Sequence, residues 1–192
     1  MIRRQTAVPN LEVLTVPGLY NSGPEHWQSH WERQDARFRR VHQKDWETPR
    51  AEDWIAELDR AVVASGPDVL LAGHSLACCT IALWARTYKR RVGGALLVAP
   101  SDTESPSYPP VTHGFAPMPL DAIAFPTLVV ASSNDPYVSI ERAKQFADAW
   151  GSRYVCIGDA GHINSDAGYG PWPEGLQLLR SLRRGRRHVR AR

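Results

Sequence analysis

The stretch Asp68-Val69-Leu70-Leu71-Ala72-Gly73-His74-Ser75-Leu76-Ala77 limits the fold more than any other part of this 192-residue chain. Residues 69–72 are unbroken apolar sequence, the pattern of a strand buried on both faces of a sheet. Beyond Gly73-His74-Ser75, the spacing of Leu76, Cys79 and Leu83 is that of a helix. A strand that passes into a helix through so tight a turn leaves room only for small residues two positions before and two after the serine. Gly73 and Ala77 meet that condition. The serine is then held out from the backbone at the carboxyl edge of the sheet, which is the mechanical content of the G-x-S-x-G nucleophile elbow. Ala77 departs from that pattern by one methyl group. Gly73-His74-Ser75 alone also suits an ordinary turn with Ser75 as a helix cap; the strand before it and the helix after it favour the nucleophile.

Strands and helices alternate along the rest of the chain. Strands are expected at 11–16, 37–41, 94–99, 126–131 and 153–157, besides the elbow strand. Pro24 suits the first turn of a helix reaching Gln34, and Pro49 opens another with an apolar stripe at Trp54, Ile55, Leu58 and Val62 that Gly66-Pro67 stops. The elbow helix is expected to end in Lys89-Arg90-Arg91. Further helices are expected at 139–150, with Ser139 as cap, and at 173–182. Residues 101–125 are proline-rich and aperiodic, a long excursion of the kind that is usually functional or mobile. The alternation predicts an α/β fold: a three-layer sandwich around a mostly parallel sheet of about six strands. At this length one domain, 1–182, can bury about 70% of its unfolded surface. The arginine-rich 183–192 reads as a basic, disordered tail.

In such folds ligands sit beyond the carboxyl ends of the strands. Three of those ends carry the residue types of acyl transfer: Ser75 after the third strand, Asp135 past the fifth and His162 past the sixth. Their order, serine then acid then histidine, is that of the α/β-hydrolase arrangement. A serine hydroxyl attacks only when an imidazole removes its proton. The imidazole needs a carboxylate to hold its tautomer, and the oxyanion formed on attack needs fixed N–H donors. Leu76 N–H at the head of the helix is one candidate donor. Leu19, in the loop after the first strand, is the favoured second, with Tyr20 as its rival. Asp159 is a rival acid, too close in sequence to His162. Asp135 alone would also suit a turn in Asn134-Asp135-Pro136.

Other features exclude function classes. A formal net charge of +3 names no partner. The tail lacks interleaved aromatic residues, so no nucleic acid is expected. The glycine spacing of residues 18–23 mimics a phosphate loop, but Pro24-Glu25 stands where lysine and serine or threonine are required. His26 and His30 could supply half a metal site, but no third ligand falls at matching spacing, so no metal is expected. No run approaches a membrane span, and Met1-Ile2-Arg3-Arg4-Gln5 is followed by no apolar leader. Three cysteines, two of them adjacent, argue for a reducing compartment, and a cytoplasmic location is expected. Tyr20, Tyr137, Tyr169 and Trp172 are candidates to line a substrate site, with Trp46 and Tyr108 nearby in the loops. Trp27 and Trp31, four apart on one helix, suit the core.

The chain resembles the α/β-hydrolase superfamily, and within it the small serine hydrolases of the retinoblastoma-binding protein 9 type. The resemblance rests on Pro17-Gly18-Leu19, Ser22-Gly23-Pro24-Glu25-His26-Trp27-Gln28, Gly73-His74-Ser75-Leu76, Ser133-Asn134-Asp135-Pro136 and Gly161-His162-Ile163-Asn164. It is strongest from Gly168 to Gly175. It implies a compact hydrolase with no large cap domain and no cofactor, in which Ser75, Asp135 and His162 are nucleophile, acid and base. The namesake's retinoblastoma-type partner is not implied: the nearest match to its L-x-C-x-E motif, Leu76-Ala77-Cys78-Cys79-Thr80, lacks the glutamate. The expected activity is cleavage of small carboxylic esters through an acyl-serine. The alternative is a catalytically silent binding protein on the same scaffold.

Overall fold

A computed structural model describes residues 12–184. The six strands are β1 (Val13–Val16), β2 (Phe38–Arg40), β3 (Leu70–His74), β4 (Gly94–Val98), β5 (Thr127–Ala131) and β6 (Arg153–Cys156). They form one sheet in the order β2-β1-β3-β4-β5-β6. Every pairing is parallel, so the mostly parallel sheet expected from sequence is wholly so. The helices are α1 (Trp27–Gln34), α2 (Ala51–Ser65), α3 (Leu76–Tyr88), α4 (Ile140–Trp150) and α5 (Pro173–Arg184).

Strand side chains alternate between two apolar layers, as the two-residue period of a strand requires. Leu14, Val16, Leu71, Leu97, Val129 and Ala131 pack with α2, α3 and α4 on one face. Val13, Leu70, Ala72, Leu96, Val98, Leu128 and Val130 pack with α1 and α5 on the other. Five tryptophans, Trp27, Trp31, Trp54, Trp84 and Trp150, are almost wholly buried in these layers. Residues 99–126, which include the excursion expected at 101–125, contain no helix or strand of their own and build no cap domain. Among the described residues no helix is long and apolar enough to cross a membrane.

Several boundaries differ from the sequence expectation for local reasons. Helix α1 starts at Trp27, not Pro24, because His26 is extended and its Nδ1 accepts the Gln28 N–H at 3.2 Å. Helix α2 starts at Ala51, not Pro49: Pro49 C=O and Ala51 N–H are engaged by the backbone of His113, which keeps the chain extended there. Helix α3 stops at Tyr88, before the basic run, because Lys89 adopts a left-handed conformation with φ 51°. Helix α5 continues through Arg184, two residues into the expected tail. The remainder of that tail, 185–192, and Leu11 of the expected first strand lie outside the described residues.

Candidate active site

The carboxyl ends of β1, β3, β4 and β5 and the loop after β6 meet around Ser75. Ser75 is the single residue between β3 and α3, with φ 59° and ψ −123°, a conformation that costs a non-glycine residue about 1–3 kcal/mol. The surroundings enforce it: Ser75 N–H donates to Val98 C=O of β4 at 2.9 Å, and Ser75 C=O accepts from Cys78 N–H at 3.0 Å. Ala77 is tolerated in place of glycine because Gly73 faces it. Even a methyl on Gly73 would stay 3.6 Å from the Ala77 Cβ, although it would strike Ile81 at 2.6 Å.

Residues 75, 135 and 162 come together. His162 Nε2 lies 2.9 Å from Ser75 Oγ, and its Nδ1 lies 2.9 Å from each Asp135 carboxylate oxygen. The Asp135 side chain is fully shielded from solvent. A carboxylate only accepts, so His162 Nδ1 carries the proton and Nε2 is left to accept one from Ser75. Asp159 is not part of this arrangement; it is exposed and accepts from Ser133 Oγ at 2.6 Å.

The loops carrying Asp135 and His162 are cross-braced by polar contacts that no local spacing in the sequence signals. Ser132 Oγ accepts from Ala160 N–H and donates to Asn134 Oδ1, which also accepts from Gly161 N–H. From below, His74 Nε2 donates to the His162 carbonyl at 2.8 Å, and Trp27 Nε1 donates to the next carbonyl, Ile163, at 3.0 Å. At the first strand end, Gln28 is fully buried and its amide donates to the carbonyls of both Val16 and Ala72. This accounts for the glutamine that closes the first loop motif.

The loop after β1 lies directly on the elbow. A Cβ on Gly18 would sit 2.8 Å from both the His74 carbonyl oxygen and Ser75 Cβ, so only glycine allows this approach. Tyr20 N–H is taken by the Trp46 carbonyl at 3.0 Å. Among the described residues, neither Leu19 N–H nor Leu76 N–H donates to a protein acceptor.

Of the aromatic candidates, Tyr137 stands edge-on to His162 with ring centroids 4.6 Å apart, and Tyr20 is half exposed on the glycine loop. Trp172 requires a correction. It is 7% exposed, stacks on Trp31 and leaves no room for a side chain at Gly175, so it belongs to the apolar core rather than a site wall. Tyr169 packs edge-on against Trp172 at 5.6 Å and joins the same layer. The reason for both is the cluster formed by Trp27 and Trp31, which draws the 168–175 segment onto α1.

Two more imidazoles lie beneath the site: His74 packs against His26 at 4.6 Å and His162 at 4.8 Å, centroid to centroid. Burial first, then the charge of Arg40 and the His162 ring, holds His26 down at about 3; burial, then His26 and His162, holds His74 well below its usual value. Both rings therefore take up protons more readily in the unfolded chain. The stability they permit is complete above the unfolded value of 6.5 and is lost as pH falls from there toward the folded values. Unfolding free energy measured in urea is expected to drop by about 2 kcal/mol between pH 7 and pH 5 on account of His26, with His74 adding to the fall in the same direction, and His26→Gln to remove its share of that slope.

The model of the family described as Serine hydrolase matches residues 13–181. The fold is similar to a YdeN-like hydrolase from Pectobacterium atrosepticum at 34% identity, with 91% of each chain covered and a TM-score of 0.79. It is also similar to the ydeN gene product of B. subtilis at 21% identity, covering 90% of this chain and 98% of that one with a TM-score of 0.74. A thermophilic esterase from Thermogutta terrifontis, at 20% identity, 94% and 89% coverage and a TM-score of 0.59, shares the fold. No curated protein sequence matches the chain. With the family model spanning nearly all the described residues and a one-third-identical hydrolase structure superposing over nine-tenths of its length, the chain belongs to the serine hydrolase family.

Proposed function

We propose that the protein is an esterase-like serine hydrolase that cleaves small carboxylic esters through an acyl-Ser75 intermediate. The observation that carries this reading is the unbroken line of contacts from the shielded Asp135 carboxylate through His162 to Ser75 Oγ. In it, Ser75 Oγ attacks the ester carbonyl while His162 Nε2 takes the hydroxyl proton. Asp135 holds the tautomer and stabilises the imidazolium. The oxyanion is received by the N–H groups of Leu76 and Leu19; the engagement of Tyr20 N–H by Trp46 supports Leu19 over its neighbour. His162 then returns the proton to the departing alcohol. A water attacks the acyl-serine with His162 again as base, releasing the acid and restoring Ser75.

The absence of a cap among residues 99–126 and the placement of Tyr20 and Tyr137 at the rim support small esters with an apolar or aromatic group. The wholly buried Leu76, Cys78 and Thr80 support leaving aside a partner that would read this segment. The test is labelling with a fluorophosphonate probe followed by peptide mapping. The folded chain is expected to carry one adduct, on Ser75, that heat-unfolded protein does not form. An adduct elsewhere, or none, overturns the assignment.

A further inference from the structure

Ser101 plays no part in the scheme above, yet its hydroxyl is the second neighbour of the nucleophile. It lies three residues beyond β4, is 1% exposed, and places its Oγ 2.8 Å from Ser75 Oγ. Proton accounting gives this contact a direction. His162 Nδ1 faces two carboxylate oxygens and must hold a proton, so the neutral ring has a bare Nε2. That nitrogen takes the single proton of Ser75, leaving Ser75 Oγ able only to accept from its other neighbour. The hydroxyl hydrogen of Ser101 therefore points at Ser75.

We propose that Ser101 is a positioning residue for Ser75, its hydroxyl donating to the attacking oxygen. This rests on the reading of Ser75 as nucleophile. The bond fixes the Ser75 side chain between two partners, aimed by His162 on one side and Ser101 on the other. It also strengthens as negative charge gathers on Ser75 Oγ during proton transfer, since hydrogen bonds to ionised acceptors are roughly twice as strong as neutral ones. Once Oγ is acylated, it becomes an ester oxygen and a poor acceptor, so the bond is weak in the intermediate and is regained as Ser75 leaves in deacylation. Both barriers thus gain from one donor.

The segment holding Ser101 is anchored independently of Ser75. Asp102 N–H donates to Tyr137 C=O at 3.0 Å, the Asp102 carboxylate accepts from Arg142 Nε at 2.9 Å, and Thr103 Oγ1 donates to Phe115 C=O at 3.0 Å. The hydroxyl is thus presented by a braced backbone and does not depend on the nucleophile to hold it.

The experiment compares Ser101→Ala and Ser101→Cys with the native chain on p-nitrophenyl acetate, together with fluorophosphonate labelling rates and thermal unfolding. Alanine removes the donor; cysteine keeps roughly the size with a much weaker donor. Both are expected to lower kcat and the labelling rate constant about tenfold, as loss of a hydrogen bond to a charged group implies, with KM unchanged within about twofold. Either variant keeping kcat within about twofold of native overturns the proposal. So does a loss of kcat accompanied by a fall of more than about 10 °C in Tm, which would make Ser101 a packing residue. If the native chain is not labelled at Ser75, the functional reading itself fails; if it is labelled and Ser101→Ala is labelled equally fast, only the role of Ser101 fails.

Discussion

Ser75→Ala is expected to lower kcat for p-nitrophenyl acetate by on the order of 10^6, the cost of removing the nucleophile from a serine–histidine–acid unit. Nothing near Ser75 can stand in for it. The other hydroxyl beside it, Ser101 Oγ, is 2.8 Å from Ser75 Oγ but forms no hydrogen bond with His162, so the imidazole is not positioned to take its proton. Residual hydrolysis would come from the backbone donors and substrate binding alone. The loss is not one of folding. Alanine keeps the left-handed backbone at this position and forfeits two hydrogen bonds of its side chain, with Ser101 Oγ left buried and unpaired at a cost of about 1–3 kcal/mol. For a domain of this size that lowers Tm by several degrees. Activity within a hundredfold of native, with Tm so little changed, would mean that the hydrolytic centre lies elsewhere.

The next largest effect is expected for Asp135→Asn, a loss on the order of 10^4 in kcat. The substitution preserves shape and shielding but not proton logic. Both Asp135 oxygens are within 2.9 Å of His162 Nδ1. An asparagine that turns its NH2 group toward that nitrogen forces the ring proton onto Nε2, where it blocks acceptance of the Ser75 proton. If it turns its carbonyl instead, the tautomer survives, but the negative charge that stabilises the imidazolium is gone. Steady-state kinetics beside Asp159→Asn supply the control. Asp159 is exposed and bonded to Ser133, so its variant is expected to stay within about threefold of native. Equal losses in the two variants would refute Asp135 as the orienting acid.

Much of the fold and of the site is legible in the sequence. The apolar run 69–72 reads as a doubly buried strand because both faces of a parallel sheet are covered, and residues 70–72 are indeed fully shielded. The cap Ser139 was legible because capping is a contact three residues long, here Arg142 N–H to Ser139 Oγ at 3.2 Å. Errors arose where a distant segment intervened. Pro49 looked like a helix start, but the backbone of His113, far along the chain, engages the carbonyl of Pro49 and the N–H of Ala51 and holds Arg50 between them extended. Trp172 looked like a loop aromatic at the site, but Trp31 draws it into the core.

The sequence by itself determined the alternation of strands and helices, the tight serine turn, and the residue types at three strand ends. All of these are written in local spacing and side-chain size. Only the tertiary structure decided that the Asp135 carboxylate, favoured over Asp159 from the sequence, meets His162, that Tyr20 N–H is taken by Trp46 while Leu19 N–H is not, and that Ser101 lies against Ser75. The physical reason is that each of these depends on single contacts of about 3 Å between residues that are 26 to 87 positions apart. Such contacts exist only once the sheet has brought its carboxyl ends together.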